Sequence, residues 1–423
     1  MNFSKIIISV IYKIKPFIIK IIPIEILKEL KKTIVTSKTN QLLDVCISPF
    51  DKKKYKKGIN LIGYTKHDTG LGQSTRLLLS ELQASGVDCS IIPYAQSKEY
   101  SMTDTSFDDL ISEDNPYGIN VFHINAHEFT MAYMNLGKKV FDNHYNIAFW
   151  LWELEEFPEE WVPCINLLDE IWTPSEFISN SLRKKTSKPV VTIPYHVTAP
   201  VNTTFNREYF SLPENQFLFL GMYDSNSISE RKNPQAVIKA FKAAFDPNDA
   251  RVGLVLKINH IKEQELNALK EELNGYTNVY FLLNNMTKLE VNSLIQSVDV
   301  YVSLHRAEGF GLVLAEAMLL GTPVIATNYS ANTEFMNQEV ACLVDYDLIE
   351  LQENISLYQK GNYWADPNIE TAANYMKLLA NDREYYDCLT DNAKKYIQET
   401  LSMENAISII NQRFSDIYKN TEI

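Results

Sequence analysis

The chain has 423 residues, 45% of them hydrophobic and 22% charged, with a formal net charge of −13. That length exceeds one ordinary hydrophobic core and predicts two domains, and the acidic balance argues against general nucleic-acid binding. Five scattered cysteines, at 46, 89, 164, 342 and 388, show neither CxxC spacing nor the even count of a disulfide framework, which fits a reducing compartment.

The charge is unevenly spread. Residues 1–58 hold thirteen lysines against Glu25, Glu29, Asp44 and Asp51, a net +9 that leaves −22 for the remainder. The longest uncharged run there, 6–12, is far short of the roughly 20 residues that span a bilayer. Lys13 and Lys15 interrupt it and no small-residue cleavage site follows, so it does not read as a signal peptide. Isoleucines interleaved with lysines, followed by KKKYKK at 52–57, predict a segment lying on an anionic membrane surface. The alternative is a helix or hairpin packed on the first domain with its lysines solvated.

A first domain is expected over 59–195. INLIGY reads as a strand, KHDTGLGQS as a loop, TRLLLSELQASG as an amphipathic helix and VDCSIIPY as the next strand. Gly70 and Gly72 resemble the start of a dinucleotide fingerprint, but Thr75 stands where its third glycine belongs. Asp88, read as a ribose-binding acid, keeps a dehydrogenase open. INVFHINAHE (119–128) is a strand ending in His123 and His127. A lone histidine at a strand end is more often a structural hydrogen-bonder than a catalyst. Residues 147–177 follow as strand, Trp/Glu-rich loop, helix and short strand. Trp150, Trp152 and Trp161 suit core packing or a sugar-stacking surface, with core the stronger reading. Glu153 and Glu155 are candidates for orienting the hydroxyl groups of a bound ligand. Ser175 is the expected N-cap of FISNSLRKK, 189–194 is the closing strand, and 195–206 reads as a linker.

A second domain is expected over 196–400, with a final helix over 401–423 crossing back to the first. FLFLGMYD (217–224) is a strand, SNSISERKNP leads into the helix QAVIKAFKAAF, and VGLVLKI (252–258) places Lys257 near a strand's carboxyl end. A bound anion needs positive charge facing it, from lysine, arginine or a metal. Arg231, Lys232 and Lys257 supply that charge at two strand ends, with Asn233-Pro234 setting the first pair just before a helix. For Arg231 taken alone, a solvated basic loop is the bland alternative. Residues 279–304 read as strand, N-capped helix, strand.

The stretch SLHRAEGFGLVLAEAMLLGTPVIATNYSANTE (303–334) organises the rest. A strand, the turn Gly309-Phe310-Gly311, a helix over 312–320 stopped by Gly321, and the strand VIAT make a βαβ unit. Its glycines stand at the carboxyl end of the first strand, where open α/β sheets bind ligands. A helix starting near Gly311 offers unpaired N–H groups to an anion. Glu308 and Glu316 would repel a phosphate, so they suit the hydroxyl groups around it.

This string resembles the donor-site signature of the retaining glycosyltransferases of family 4, which have the GT-B fold: α/β, two Rossmann-like domains facing a central cleft. The resemblance implies that Glu308 contacts the donor sugar, that backbone N–H groups around Phe310 to Leu312 hold the distal phosphate, and that Glu316 holds the ribose. It implies that Gly70 and Gly72 face the cleft, that His127 touches the donor sugar, and that 284–286 meet the nucleobase through backbone. Lys232 matches the family's lysine, while Met222 occupies its usual arginine position, so Arg231 of the ERKNP segment is the expected replacement. Asn332-Thr333-Glu334 is expected to cap a turn lining the donor pocket.

The activity implied is retaining transfer of a hexosyl group from a nucleotide-diphosphate sugar to a growing, lipid-linked cell-surface glycan such as lipopolysaccharide. No cofactor and no essential metal are expected, and the location implied is the cytoplasmic face of the inner membrane. A nucleotide-sugar epimerase or hydrolase of the same fold, and a non-catalytic nucleotide-sugar-binding scaffold of a polysaccharide assembly, stand as alternatives.

Overall fold

The structure, a computed structural model, describes residues 24–420 apart from 68, 95–101, 103 and 226, without the side chains of 24–32 and 420. The first 23 residues of the membrane-surface candidate therefore lie outside the described residues.

The first lobe is a six-stranded, fully parallel sheet of β1 (Lys56–Gly63), β2 (Cys89–Pro93), β3 (Tyr117–His123), β4 (Tyr145–Phe149), β5 (Glu170–Thr173) and β6 (Val190–Thr192), in the order β2-β1-β3-β4-β5-β6. Helices cover both faces, so the strands read as near-continuous apolar runs rather than alternating ones. Ile59, Leu61, Ile62, Val121, Phe122 and Ile147 are all fully buried.

The second lobe repeats the architecture with β7 (Phe217–Asp224), β8 (Val252–Asn259), β9 (Val279–Leu282), β10 (Val300–Ser303), β11 (Val324–Thr327) and β12 (Cys342–Val344), ordered β12-β11-β10-β7-β8-β9. All five of its pairings are parallel as well. An antiparallel hairpin, β13 (Tyr346–Glu350) with β14 (Tyr363–Pro367), is appended to it. In each sheet the connections reverse direction beside the first strand, between β1 and β3 and between β7 and β10. The loops leaving the carboxyl ends of these four strands flank the crevice where doubly wound sheets hold ligands.

The segment before β1 is built into the first lobe. Leu42 is buried, Thr39 hydrogen-bonds Thr130 at 2.7 Å, and Asn166 Nδ2 donates to the carbonyls of Leu42 (2.8 Å) and Val45 (2.9 Å). From residue 39 onward, then, the chain is packed against the lobe, and β1 begins at Lys56 rather than 59. Lys53, Lys54, Lys56 and Lys57 stay exposed, as do Ile34 and Leu43. The last helix, Met403–Asn420, lies against helix Gly70–Ala84 of the first lobe, with Arg413 on the buried Glu170 and Tyr418 against Phe50. No helix among the described residues is long and apolar enough to cross a membrane.

Candidate functional site

At the second lobe's crevice two loops are tied side by side. The loop after β7 ends in a short helical turn, Ser229–Lys232, and at Asn233, whose φ of 52° lets the backbone reverse before Pro234 opens the next helix. Asn233 Nδ2 donates to the Leu304 carbonyl (3.0 Å) and the Arg306 N–H to the Arg231 carbonyl (2.8 Å). Arg231 and Lys232 are thereby held against residues 304–308.

Glu308 receives them both. Lys232 Nζ hydrogen-bonds its Oε1, Arg231 Nη1 lies 3.4 Å from its Oε2, and the Ser330 hydroxyl accepts its backbone N–H at 2.8 Å. Burial would push this carboxyl up, but Lys232 and Arg231, with His305, outweigh it and hold Glu308 at about 2. The carboxylate is fixed in its charged form. Arg231 is 8% exposed and its Nη1 also donates to the Ala307 carbonyl (2.8 Å). It is therefore committed to the Glu308 loop and does not stand free in front of it, as an arginine replacing the one expected at Met222 would. Lys232 is the more open of the two cations.

The turn after Glu308 is shaped by contacts with the first lobe. A side chain on Gly309 would sit 3.0 Å from the Trp152 carbonyl, and the Gly309 carbonyl accepts from Ser175 Oγ at 2.9 Å. Phe310 is buried edge-on against Tyr195, centroids 4.9 Å apart. Gly311 has φ 94°, where a Cβ would also meet Leu314 at 2.8 Å, and Leu312 opens the helix Leu312–Leu320. The first-turn N–H groups of that helix, around Phe310 to Leu312, have no partner within it.

Glu316 on this helix is 1% exposed and paired with Lys288 Nζ; burial pushes its carboxyl up, and the lysine only partly offsets that. Lys257, buried at the end of β8, hydrogen-bonds Asn259 and donates to the Asn284 carbonyl (2.9 Å), and burial lowers its ammonium. Beyond it a cavity of about 450 Å³ is lined by His260, Ile261, Glu263, Leu266, Leu283 and Asn285, next to the 284–286 segment.

On the first lobe, Gly70 and Gly72 fall in the opening turn of helix Gly70–Ala84 instead of a loop. Thr69 caps that helix by accepting the Gly72 N–H (3.2 Å), and a Cβ on Gly72 would lie 2.0 Å from the His67 carbonyl. His127 likewise leaves the strand. It sits in the first turn of helix Ala126–Leu136, its ring 5.7 Å from that of Trp161. His123 is fully buried against Phe149, bonded to Ser74 at 2.7 Å and pushed down to about 3 by burial, a structural histidine. Trp150, Trp152 and Trp161 are buried core.

Sequence reasoning missed the part that several residues play in completing this arrangement. Lys288 sits directly after the capping residue Thr287, and that N-cap was its visible signal. Glu334 belongs to the turn expected to line the donor pocket. It reaches the first lobe, where its carboxylate accepts the N–H groups of Glu176 (2.9 Å) and Phe177 (2.7 Å) at the start of helix Glu176–Arg183. Ser175 and Tyr195 bind the Gly309–Phe310 turn, and His305 lies fully buried beside Glu308, with burial lowering it to about 4. Among the described residues there is no cluster of three or more His, Cys, Asp or Glu side chains able to hold a metal ion.

Residues 204–396 match the family model of glycosyl transferases group 1. Nothing among the curated proteins matches the chain. Among solved structures, HepE of Anabaena in complex with UDP and glucose is 14% identical with a TM-score of 0.61, over 85% of this chain and 100% of its own. Sucrose-phosphate synthase of Thermosynechococcus elongatus is 14% identical, TM-score 0.64, over 86% and 100%. A glycosyltransferase of Rickettsia africae is 15% identical, TM-score 0.61, over 87% and 100%. These likenesses show the fold: GT-B, with two Rossmann-like domains.

Proposed function

We propose, for a chain whose residues 204–396 are a group 1 glycosyl transferase domain on a GT-B fold, that it moves a hexosyl group from a nucleotide-diphosphate sugar to a growing, lipid-linked glycan of the cell surface with retention at the anomeric carbon. The observation that carries this reading is the ionised Glu308, clamped by Lys232 and Arg231 at the mouth of the glycine turn that opens helix Leu312–Leu320. That neighbourhood offers a carboxylate for sugar hydroxyls, backbone N–H groups for the distal phosphate and an ammonium for the leaving group.

In this reading Glu308 accepts hydrogen bonds from the donor sugar, Glu316 from the ribose, and Lys232 and Lys257 face the diphosphate. Arg231 serves through its hold on Glu308. Gly70 and Gly72 bring the start of their helix to the crevice, and His127 stands at the sugar's edge. The bond from the anomeric carbon to the diphosphate oxygen breaks, the acceptor oxygen bonds the same face of that carbon, and its proton passes to the departing phosphate. The positive charge needed by the leaving group comes from lysines, so no essential metal enters. Residues 1–57, with the exposed Lys53, Lys54, Lys56 and Lys57, rest on an anionic membrane surface at the cytoplasmic face of the inner membrane.

Thermal-shift titration with UDP, GDP and their sugars is the first test, since a ligand well above its Kd raises apparent stability. One nucleotide and its sugars should stabilise the protein, and Glu308→Gln and Lys232→Ala should each remove most transfer. Full transfer by Glu308→Gln would refute the assignment. Activity lost to EDTA and restored by Mn²⁺ would refute the metal-free chemistry.

A further inference from the structure

Glu153 belongs to the first lobe, in the loop after β4, between the buried Trp152 and Leu154. Its side chain nevertheless engages the second lobe twice. Oε2 accepts the Tyr358 hydroxyl at 3.1 Å, from the loop joining β13 and β14, and Oε1 lies 3.9 Å from Arg231 Nη2. The other arm of the same guanidinium stands 3.4 Å from Glu308 Oε2. Arg231 is thus shared by two carboxylates from different lobes, one of them in the donor loop.

From this geometry we infer that Glu153 is a positioning residue. It draws on Arg231 when the lobes are together and so sets how firmly Glu308 is held. The inference rests on the donor-site reading of Glu308. A buried guanidinium needs full charge compensation, and Coulomb forces there are stronger than in water. With the lobes together, Arg231 and Lys232 balance Glu153 and Glu308, two charges against two. With the lobes apart, Glu308 faces both cations alone and its oxygens are fully claimed. When a diphosphate draws Lys232 away, the pull of Glu153 on Arg231 leaves Glu308 free to accept sugar hydroxyls. Glu153 touches none of the reacting atoms. It acts through Arg231, and it makes the donor site complete only in the closed molecule.

Glu153→Gln is the informative variant, because the amide oxygen still accepts from Tyr358 while the charge is gone. Small-angle X-ray scattering of the full chain without ligand should show a larger radius of gyration for Glu153→Gln than for the wild type. Transfer should fall about fivefold in kcat, the scale of a half-buried ion pair, with the Kd for UDP or GDP unchanged. Tyr358→Phe, which removes one hydroxyl and no charge, should lower kcat less, and Glu153→Asp should recover part of the loss. The scattering comparison needs no turnover, so a protein with no transferase activity would sink the functional reading and leave this one still decided. Identical scattering and kcat in Glu153→Gln would overturn it, as would a loss of nucleotide affinity that matches the loss of kcat.

Discussion

Replacing Lys232 with alanine tests the central electrostatic claim without any substrate. Glu308 is held at about 2 against an ordinary value of 4.5, a difference worth about 3 kcal/mol in favour of the folded state at neutral pH. Lys232, in direct hydrogen bond with Oε1, opposes burial more strongly than Arg231 at 3.4 Å. Its removal should therefore cost about 1–2 kcal/mol, because Arg231 remains. For a lobe of this size that corresponds to a fall in Tm of about 3–6 °C. The sign follows from the direction of the shift. A carboxyl depressed in the folded state contributes stability that is complete above its unfolded value of 4.5 and disappears as pH falls through about 2. Urea unfolding of wild type and Lys232→Ala at pH 7 should differ by the full amount, and the gap should narrow steadily between pH 4.5 and 2. Equal stability at pH 7, or a gap that stays constant through the acid range, would refute the clamp.

Gly72→Ala should lower stability by about 3 kcal/mol or more, since its Cβ would press to 2.0 Å on the His67 carbonyl, whereas Gly70→Ala, with nothing within 4 Å, should fall within about 0.5 kcal/mol of wild type in the same melts. Glu334→Ala removes a carboxylate cap from helix Glu176–Arg183 and should cost about 1–2 kcal/mol, with faster proteolysis at residues 176–185 as the readout. Exchanging Lys53, Lys54, Lys56 and Lys57 for glutamate should abolish cosedimentation with phosphatidylserine vesicles, each lysine contributing about 1 kcal/mol near such a surface. Full membrane association by a 1–50 deletion would remove the N-terminal segment from the account.

The parts of this molecule written locally were legible before any coordinates. Leu312–Leu320 was readable as a helix because an Ala/Leu/Glu/Met run has high propensity and is bounded by glycines, both of which take left-handed φ (94° and 78°). The strands of both sheets were readable because burial on two faces requires unbroken apolar runs. Gly70 and Gly72 misled for the converse reason. Glycine is a poor helix former, yet the Thr69 cap starts a helix there and the close approach of the His67 carbonyl demands glycine at 72. The contacts between lobes had no local signature. Ser175 meets Gly309, Glu334 meets Glu176 and Glu153 meets Arg231 across separations of 78 to 158 residues, and no periodicity within one lobe encodes which surface of the other it will face.

The two site carboxylates are driven in opposite directions, and this argues that their roles cannot be exchanged. Glu308, with two cations at hand, stays ionised through the whole physiological range. In the proposed reaction such a charge suits a position beside an anomeric carbon that gains positive character as its bond to the diphosphate lengthens. Glu316, on helix Leu312–Leu320 and paired with Lys288, has its carboxyl pushed upward by burial despite that partner. Its charge is therefore held less firmly than that of Glu308. In the proposed reaction it accepts hydrogen bonds from the ribose diol, a role that needs no firmly fixed charge. The eight-residue spacing between the two glutamates therefore separates a carboxylate held charged by two cations from one whose charge burial disfavours. The clamp built from Lys232 and Arg231 creates that difference, because burial alone pushes both carboxyls upward.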